Sequence, residues 1–388
     1  MFYSRAMAGE LLEAARSFPI VTVMGPRQSG KTTLCRQLFK DKAYVNLEAP
    51  DTRERIAEDP RGFLERYPEG AVIDEIQQLP ELLSYLQVVV DESDKKGMFI
   101  LTGNHQLQLQ EAIAQSLAGR SALLTLLPLS LSELEANGQK LSLDEALLRG
   151  GYPRLFKDDI HPTKLYRSYF QTYIERDVRQ LIQLKELAPF QQLIKLCAGR
   201  IGQAVNFQSL SNEVAVSSPT IHHWISILEA SYVLLRLQPY HENFGKRIIK
   251  SPKLYFLDVG LASYLLGIET VTQMERDPLR SHLVENLVFL ELMKWRLNRG
   301  AAPQLYYYRD VQGHEVDFVF QCGHELVPIE VKASQTFKPL LLKNLYFFEK
   351  LLGSRCRGGA LIYGGDNQGK VHSFSILNFA DGAKALEE

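Results

Sequence analysis

The sequence predicts an α/β protein with a parallel sheet in its N-terminal third, a helical middle and a second α/β domain at its C-terminal end. Three observations support this prediction. Up to residue 131, apolar runs alternate with helical segments, a pattern typical of a parallel sheet covered on both faces. Residues 190–240 follow the order helix, turn, helix, strand. Residues 306–334 contain two strands joined by a short turn.

The composition indicates a globular chain of two or three domains. It has 388 residues, of which 45% are hydrophobic and 23% are charged. Because the net charge is -1, any contact with nucleic acid must come from a local basic patch. The 4 cysteines have no C-x-x-C spacing, which favours a reducing compartment without a zinc site or disulfides.

No stretch of the sequence predicts a membrane span. Every apolar run is shorter than the about 18 residues that a spanning helix needs. Charged residues at positions 10, 13 and 16 interrupt the region where a signal peptide would have its apolar core. We therefore expect a cytoplasmic protein that does not contact a membrane.

Residues 25–32 match the pattern G-x-x-x-x-G-K-[ST] between an apolar strand and a helix. In this order of elements, backbone N–H groups bind phosphate, and Gly25 and Gly30 let the backbone approach it. Lys31 would reach the β- and γ-phosphates of ATP, and the Thr32 hydroxyl would bind Mg²⁺. The alternative is a glycine-rich connection without a ligand. The predicted ATP-binding residues are Gly25, Pro26, Arg27, Gln28, Ser29, Gly30, Lys31, Thr32 and Thr33.

A second apolar strand ends in two acids, Asp74 and Glu75. Asp74 is predicted to hold Mg²⁺ with Thr32, and Glu75 to polarise the attacking water. A further buried strand ends at Asn104, whose amide is predicted to sense the γ-phosphate. The alternative for this residue is a plain Thr-Gly-Asn turn. Together with Lys31, these residues predict Mg²⁺-dependent ATP hydrolysis.

These motifs resemble those of the prokaryotic AAA-type ATPases whose C-terminal half is the uncharacterised region DUF4143. The resemblance continues in residues 116–120, 127–130, 150–153 and 173–177, and so covers nearly the whole chain. The family more often has Ser where this chain has Asn104. An amide can also sense phosphate, so the predicted role is kept.

Arg120 is predicted to act as an arginine finger or sensor. A guanidinium aimed at the γ-phosphate stabilises the charge that develops in the transition state. Arg120 would act in its own subunit or in a neighbouring one, and the second case would require a homo-oligomer. The alternative is a structural salt bridge. The predicted catalytic residues are therefore Lys31, Glu75, Asn104 and Arg120.

The middle of the chain is predicted to be helical, with a winged-helix module. Residues 162–187 are predicted to form one long amphipathic helix. Further on, Ser218 is the predicted N-cap and Pro219 the first residue of the module's third helix. This helix has no Lys or Arg, so direct base reading is poorly supported, and protein docking is the alternative. Four basic residues beyond it are predicted either to contact DNA phosphates or to form a solvated face: Lys246, Arg247, Lys250 and Lys253.

The C-terminal region contains the acids of a predicted metal site. If its hairpin turns between residues 323 and 324, Asp317 lies opposite Glu330, with Lys332 on the same face. Two such carboxylates repel unless a cation joins them, and Mg²⁺ or Mn²⁺ would do so, with Lys332 polarising a water. This D…E-x-K arrangement resembles the PD-(D/E)xK nucleases, which the family's C-terminal region also resembles, and Glu285 matches their extra helix acid. The alternative is an ordinary set of ion pairs.

These predictions combine into a domain plan and a function. The predicted domains are an AAA-type P-loop ATPase domain (residues 1–135), a helical linker or lid (136–190), a winged-helix-like module (191–240), a nuclease-like DUF4143 domain (241–378) and a tail (379–388). The predicted function is an Mg²⁺-dependent ATP-hydrolysing switch or remodeller coupled to a restriction-endonuclease-like C-terminal domain, with ATP and DNA or another protein as partners. The alternative is a non-catalytic, ATP-regulated protein-interaction module with a degenerate nuclease fold.

Overall fold

The computed structural model describes residues 3–104, 113, 115–178, 187–240 and 251–387, and for residues 175–177 the backbone alone. By internal contacts the chain divides into two compact units. Unit 1 comprises residues 1–129, 230–232 and 296–301, and unit 2 comprises the remainder. The finer division predicted within unit 2 stays a prediction.

Unit 1 contains a five-stranded parallel sheet, which confirms the predicted N-terminal architecture. Its strands are β1 (Ile20–Met24), β2 (Ala43–Asn46), β3 (Ala71–Asp74), β4 (Phe99–Gly103) and β5 (Ser121–Thr125). Its described helices are α1 (Ala8–Ser17), α2 (Lys31–Leu38), α3 (Pro50–Glu58), α4 (Pro60–Glu65) and α5 (Leu82–Asp91), with a 3-10 turn at Ile76–Gln78.

The strand order in unit 1 is β2-β3-β4-β1-β5. Strands β1, β3 and β4 are buried along their whole length, as expected for apolar strands with covered faces. Because the strands are parallel, their carboxyl ends meet at one edge of the sheet. Strand β4 lies between β1 and β3, so the residue that follows β4 reaches this edge between the P-loop and the acids that end β3.

Unit 2 contains a six-stranded mixed sheet of order β12-β13-β11-β10-β9-β8 and a separate antiparallel pair, β6-β7. The strands are β6 (Leu234–Leu237), β7 (Lys253–Phe256), β8 (Leu305–Arg309), β9 (Glu315–Cys322), β10 (Glu325–Lys332), β11 (Gly359–Tyr363), β12 (Gly369–Val371) and β13 (Phe374–Asn378). The α/β character predicted for the C-terminal region is confirmed.

The register predicted for the β9-β10 hairpin is confirmed. Glu325 lies opposite Cys322, and Ile329 lies opposite Phe318. The same register continued by one step places Asp317 beside Glu330. The side chain of Asp317 accepts a hydrogen bond of 2.8 Å from the backbone N–H of Val331, which fixes the acid at this position.

The described part of unit 2 also contains α-helices. They are α6 (Leu131–Ala136), α7 (Leu143–Arg149), α8 (Pro153–Lys157), α9 (Pro162–Tyr169), α10 (Leu187–Ala198), α11 (Phe207–Val214), α12 (Ser218–Ala230), α13 (Val259–Leu265), α14 (Val271–Arg276), α15 (Arg280–Leu297) and α16 (Lys343–Leu352). Shorter 3-10 segments lie at Pro339–Leu342, Gly353–Arg355 and Phe379–Leu386. In the ranges given above, no helix has both the length and the apolar character needed to cross a bilayer.

Two helix predictions need correction. The helix predicted over residues 162–187 is α-helical only to Tyr169 and continues as a π-helix over Phe170–Val178, and its predicted end lies outside the described residues. The N-cap of α12 is Ser217 and not Ser218. The Ser217 hydroxyl accepts a hydrogen bond of 3.2 Å from the N–H of Thr220, so the cap precedes the predicted position by one residue.

Candidate functional site

The P-loop follows β1 directly and requires glycine where it begins. Gly25 has φ +148°, and a Cβ atom there would overlap the carbonyl oxygen of Leu126. Gly30, immediately before α2, has φ +98°, in the region that L side chains rarely adopt. These constraints explain both glycines of the motif without reference to any ligand.

Lys31 lies at the centre of this site. Its side chain is 4% exposed, and its ammonium donates hydrogen bonds to the carbonyl oxygens of Gly25 (3.0 Å) and Pro26 (2.8 Å) and to Asn104 Oδ1 (2.9 Å). Burial lowers the pKa of Lys31 to about 8, although Glu75 and Asp74 oppose this change. The loop therefore holds a cation whose charge is poorly solvated.

Asp74 is held by three hydroxyl groups. Its Oδ1 accepts hydrogen bonds from Thr32 Oγ1 (2.8 Å) and from the Thr102 hydroxyl. Its Oδ2 accepts one of 2.8 Å from the Tyr44 hydroxyl. All three donors are neutral, so they orient the carboxylate without cancelling its charge.

Glu75 lies beside Asp74 in a left-handed backbone conformation, with φ 60°. Its N–H donates to Thr102 Oγ1 (3.2 Å), and its Oε2 accepts hydrogen bonds from Asn104 Nδ2 (2.8 Å) and from the Gln77 amide. Burial raises the pKa of this carboxyl, while Lys31 acts in the opposite direction. The contacts fix the orientation of the carboxylate that sequence analysis assigned to the attacking water.

Asn104 bridges the lysine and the acid. Its amide oxygen accepts from Lys31, and its amide nitrogen donates to Glu75. The structure therefore brings together Lys31, Thr32, Asp74, Glu75 and Asn104, which the sequence predicted as one site. The amide reaches both charged groups because β4 lies between the strands that carry them.

Arg120 lies away from this site. Its carbonyl oxygen accepts a hydrogen bond of 3.2 Å from the N–H of Ile20, at the amino end of β1. The five residues of β1 separate this end from the P-loop by about 16 Å. The Arg120 guanidinium forms a two-point ion pair with Asp91, with distances of 2.5 Å and 2.8 Å. This position is incompatible with an arginine finger acting within the same chain, one of the two cases that the sequence left open, and the ion pair with Asp91 matches the structural alternative. Action on a neighbouring subunit stays a prediction.

Four further side chains belong to the nucleotide site and were not predicted from the sequence. Tyr44 and Thr102 hold Asp74, and Gln77 holds Glu75. Arg5 donates to backbone carbonyl groups of the P-loop and of the segment after β5. Thr102 and Gln77 are close in sequence to predicted site residues, which is a usable signal. Tyr44 and Arg5 are not part of any recognisable sequence motif.

The second predicted site lies in unit 2 and centres on Glu330. This side chain is 2% exposed, and its Oε1 lies 2.5 Å from the ammonium of Lys332 and 3.0 Å from Asn344 Nδ2. Lys332 also lies 3.7 Å from Asp317 Oδ2. The other carboxylate oxygen of Glu330, Oε2, is buried without a hydrogen-bond partner in the described structure. The structure thus brings together the D…E-x-K residues as predicted.

Glu285 has a different partner, the buried ammonium of Lys253. Lys253 is 1% exposed and lies 2.9 Å from Glu285 Oε1 and 2.6 Å from Glu315 Oε1. The Tyr255 hydroxyl donates a further bond of 2.5 Å to Glu285 Oε1. The prediction that Lys253 contacts DNA is therefore wrong, because its charge is enclosed and paired. The other three members of the predicted basic cluster, at positions 246, 247 and 250, lie outside the described residues.

The acids of unit 2 have divergent pKa values. Burial, together with the charges of Glu330 and Glu285, raises the pKa of Asp317 well above its ordinary value. Burial also raises the pKa of Glu330, against the opposing charge of Lys332. For Glu285, burial acts to raise the pKa, but the charge of Lys253 together with hydrogen bonds from His282, Tyr255 and Lys253 outweighs burial, and the pKa is lowered to about 2. Asp317 and Glu330 are thus the two acids of this cluster whose pKa values are raised.

Within the described parts of the chain, no group of three or more His, Cys, Asp or Glu side chains is arranged to hold a metal ion. Asp317 and Glu330 would supply two carboxylates for a metal. Mg²⁺ commonly keeps several waters and binds through one or two carboxylates, so this donor set fits such an ion. The oxygen without a partner on Glu330 is the observation that supports the fit.

Three family models match the chain. Residues 17–135 match the AAA domain, residues 140–272 a domain of unknown function (DUF8612) and residues 280–380 another domain of unknown function (DUF4143). Two curated relatives, uncharacterized proteins of Mycobacterium bovis and Mycobacterium tuberculosis, are each 30% identical over 336 residues. Each alignment covers 86% of this chain and 74% of the relative.

Solved structures show weaker likeness. A Walker-type ATPase of Pyrococcus abyssi has a TM-score of 0.44 at 13% identity, covering 68% of this chain and 96% of that one. AMPPCP-bound DnaA of Aquifex aeolicus has a TM-score of 0.28 at 14% identity, covering 57% of this chain and 85% of that one. Such scores carry no argument about function. On the family models, the curated relatives and the assembled P-loop site, the chain belongs to the AAA-type P-loop ATPases that carry a C-terminal DUF4143 domain.

Proposed function

We propose that this chain is an Mg²⁺-dependent, ATP-hydrolysing switch. The observation that carries the proposal is the Asn104 amide, which accepts from Lys31 at 2.9 Å and donates to Glu75 at 2.8 Å. This side chain joins the cation that would bind the γ-phosphate to the acid that would activate water. It can therefore respond to the presence of the phosphate, which is what a nucleotide switch requires.

The residues around Asp74 fit Mg²⁺. Thr32 Oγ1 and Asp74 Oδ1 are hard oxygen donors 2.8 Å apart, at the start of α2 and the end of β3. When bound, the ion would offset negative charge on the β- and γ-phosphates. Tyr44 and Thr102 would keep the carboxylate oriented toward it.

Glu75 would polarise the attacking water. Burial raises the pKa of this carboxyl, and a base becomes more effective as its pKa approaches the working pH. The hydrogen bonds from Asn104 and Gln77 hold one carboxylate oxygen, which leaves Oε1 to accept a proton from water.

The test compares wild type with Glu75→Gln and with the exposed-site control Glu81→Gln. We expect Glu75→Gln to bind ATP with little change in affinity and to lose hydrolysis by about 100-fold or more, the usual contribution of a general base. Calorimetry measures binding, and phosphate release measures turnover. Wild-type protein that neither binds nor hydrolyses ATP would overturn the proposed function. Normal turnover in Glu75→Gln would overturn only the role of this acid.

As a second function we propose metal-dependent phosphodiester cleavage in unit 2. The buried, partnerless Glu330 Oε2, next to an Asp317 whose pKa is raised, favours a cation between the two acids. Lys332, 2.5 Å from Glu330 and 3.7 Å from Asp317, would orient a water. The pairing of Glu285 with Lys253 favours the alternative, a scaffold that has kept the fold and binds another protein.

The order of elements supports the proposal of a winged-helix module before this site. Helices α10, α11 and α12 are followed by β6 and its antiparallel partner β7. Residues 246, 247 and 250, in the segment between the two strands, would supply phosphate contacts. We propose that ATP binding in unit 1 alters how this module and the nuclease-like domain engage DNA or a protein.

The second function is tested by incubating single- and double-stranded DNA with the protein and Mg²⁺ or Mn²⁺. Cleavage by wild type and by the exposed-site control Glu275→Gln, but not by Asp317→Ala or Glu330→Gln, would support the nuclease. If the protein neither binds nor cleaves DNA, the result would support the interaction module. Coupling is tested by measuring DNA binding with and without ATP in wild type and Lys31→Ala, and identical binding in all four conditions would exclude it.

A further inference from the structure

Arg5 lies in the short N-terminal segment before α1, and its side chain is 6% exposed. Its two terminal nitrogens donate to two different backbone carbonyl oxygens. Nη1 lies 2.7 Å from the oxygen of Ser29, and Nη2 lies 2.6 Å from the oxygen of Leu127. A planar guanidinium is suited to this because it presents parallel donors in a fixed fork.

One of the two carbonyl groups, that of Ser29, belongs to the P-loop, and the other, that of Leu127, belongs to the segment that borders the loop. Leu127 follows β5, and its neighbour Leu126 donates its N–H to Met24 O at 2.8 Å. The carbonyl oxygen of Leu126 also lies against Gly25, where the loop begins. Arg5 thus attaches the far end of the loop, at Ser29, to the segment that already borders its near end.

This attachment determines the direction of a backbone donor. In a trans peptide the C=O of one residue and the N–H of the next point in opposite directions. Because Arg5 fixes the carbonyl of Ser29, it also fixes the N–H of Gly30, which points away from the guanidinium. Phosphate binding by a P-loop depends on such inward-facing N–H groups, and a carbonyl turned inward would repel the ligand.

We propose that Arg5 is a positioning residue for the phosphates of the bound nucleotide. It holds the Ser29–Gly30 peptide in the orientation that binds the diphosphate part shared by ADP and ATP. The inference rests on the proposed ATPase function and extends it to a residue 24 positions before the loop residue that it contacts. Arg5 acts through the backbone and does not participate in the hydrolytic step.

The experiment measures calorimetric affinities for MgATP and MgADP, and steady-state hydrolysis, in wild type, Arg5→Ala and Arg5→Lys. Arg16→Ala, at the exposed end of α1, is the matched control. We expect Arg5→Ala to weaken both nucleotides by a similar factor of about 10, equivalent to one 1.4 kcal/mol step. We expect kcat at saturating ATP to stay within about threefold, because the hydrolytic residues are unchanged. The nucleotide affinities of Arg5→Lys should lie between those of wild type and Arg5→Ala, because a single ammonium replaces the two-point guanidinium fork.

Several outcomes would overturn the inference. One is an unchanged affinity for both nucleotides in Arg5→Ala, and another is a loss of kcat with unchanged affinity. If Arg5→Ala does not fold, Arg5→Lys decides, and wild-type affinity in that variant overturns the inference. A failure of wild type to bind ATP would instead contradict the proposed function itself, so the two failures are distinguishable.

Discussion

The two acidic sites of this protein are held by different kinds of donor. In unit 1, Asp74 and Glu75 accept hydrogen bonds from hydroxyl and amide groups. In unit 2, Glu285 contacts the ammonium of Lys253 and Glu330 that of Lys332. Neutral donors orient a carboxylate and leave its charge for an arriving cation, whereas an ammonium supplies the compensating charge from within the fold.

Because of this difference, substitutions at the two sites should affect different properties, ligand affinity in unit 1 and the free energy of unfolding in unit 2. At the nucleotide site, removing a charged or oriented group should change ligand affinity more than folding. In the buried cluster of unit 2, removing a charge leaves its partner without compensation, so the main effect should be on the free energy of unfolding. Both tryptophans, Trp224 and Trp295, lie in unit 2, so tryptophan fluorescence reports the unfolding of this unit.

The largest effect is expected for Lys31→Ala. This change removes the buried cation of the P-loop, and we expect MgATP affinity to fall by at least about 100-fold, or about 2.8 kcal/mol. Calorimetry measures the loss, with the exposed Lys40→Ala as control. Lys31→Ala protein that retains wild-type affinity would show that Lys31 does not contact the phosphates.

The second-largest effect is expected for Lys253→Met, and it is an effect on the free energy of unfolding. Removing the ammonium leaves the buried Glu285 without its cation, whereas the half-buried Glu315 keeps Arg309 at 3.4 Å, and we expect unit 2 to lose about 3–5 kcal/mol of unfolding free energy. Urea unfolding followed by tryptophan fluorescence measures the loss. The exposed Lys338→Met should change stability little.

A double variant sharpens this prediction. Lys253→Met with Glu285→Gln removes both charges of the pair and should recover part of the lost stability. If the double variant is as unstable as the sum of the two single variants, the ion pair contributes no coupling and the cluster depends on packing alone.

A smaller, pH-dependent effect is expected for Asp317→Asn. The pKa of Asp317 is raised in the folded protein, so the folded state binds more protons than the unfolded state from about pH 4 upward. The stability of the wild type therefore falls as pH rises above about 4. The asparagine variant has no such loss, and its amide oxygen can still accept the hydrogen bond from the Val331 N–H. We expect the variant to be more stable relative to wild type at pH 8 than at pH 4. Urea unfolding at pH 4 and pH 8, with Glu269→Gln as control, tests this, and an equal difference at both values would contradict it.

The nucleotide site was predictable because its signals are local. Residues 25–32 lie on one strand-loop-helix unit, and the acids and Asn104 end neighbouring strands. The β9-β10 register followed from the turn position and from alternation along each strand. In each case, short-range geometry fixes which residues meet.

The errors and omissions have different physical causes. Lys253 was grouped with the preceding basic residues, but its partner Glu285 is 32 positions away on α15, and no local pattern records that pairing. Arg120 precedes β5, so in a parallel sheet it lies at the amino ends of the strands, opposite the P-loop. Arg5 carries no motif because it recognises backbone carbonyl groups, which every sequence supplies.

The smallest effect is expected for Tyr44→Phe, and it tests whether neutral donors hold Asp74 in place. The variant loses the hydroxyl that donates to Asp74 Oδ2 and keeps the ring that packs 4.5 Å from the Arg36 guanidinium. Outer groups that orient a metal ligand typically contribute about tenfold or more to metal affinity, so the Mg²⁺ concentration for half-maximal ATP hydrolysis should rise by about that factor. The exposed Tyr85→Phe is the control. Unchanged Mg²⁺ dependence would mean that Thr32 and Thr102 are sufficient to orient Asp74, and that its third hydroxyl contact contributes only to packing at the sheet edge.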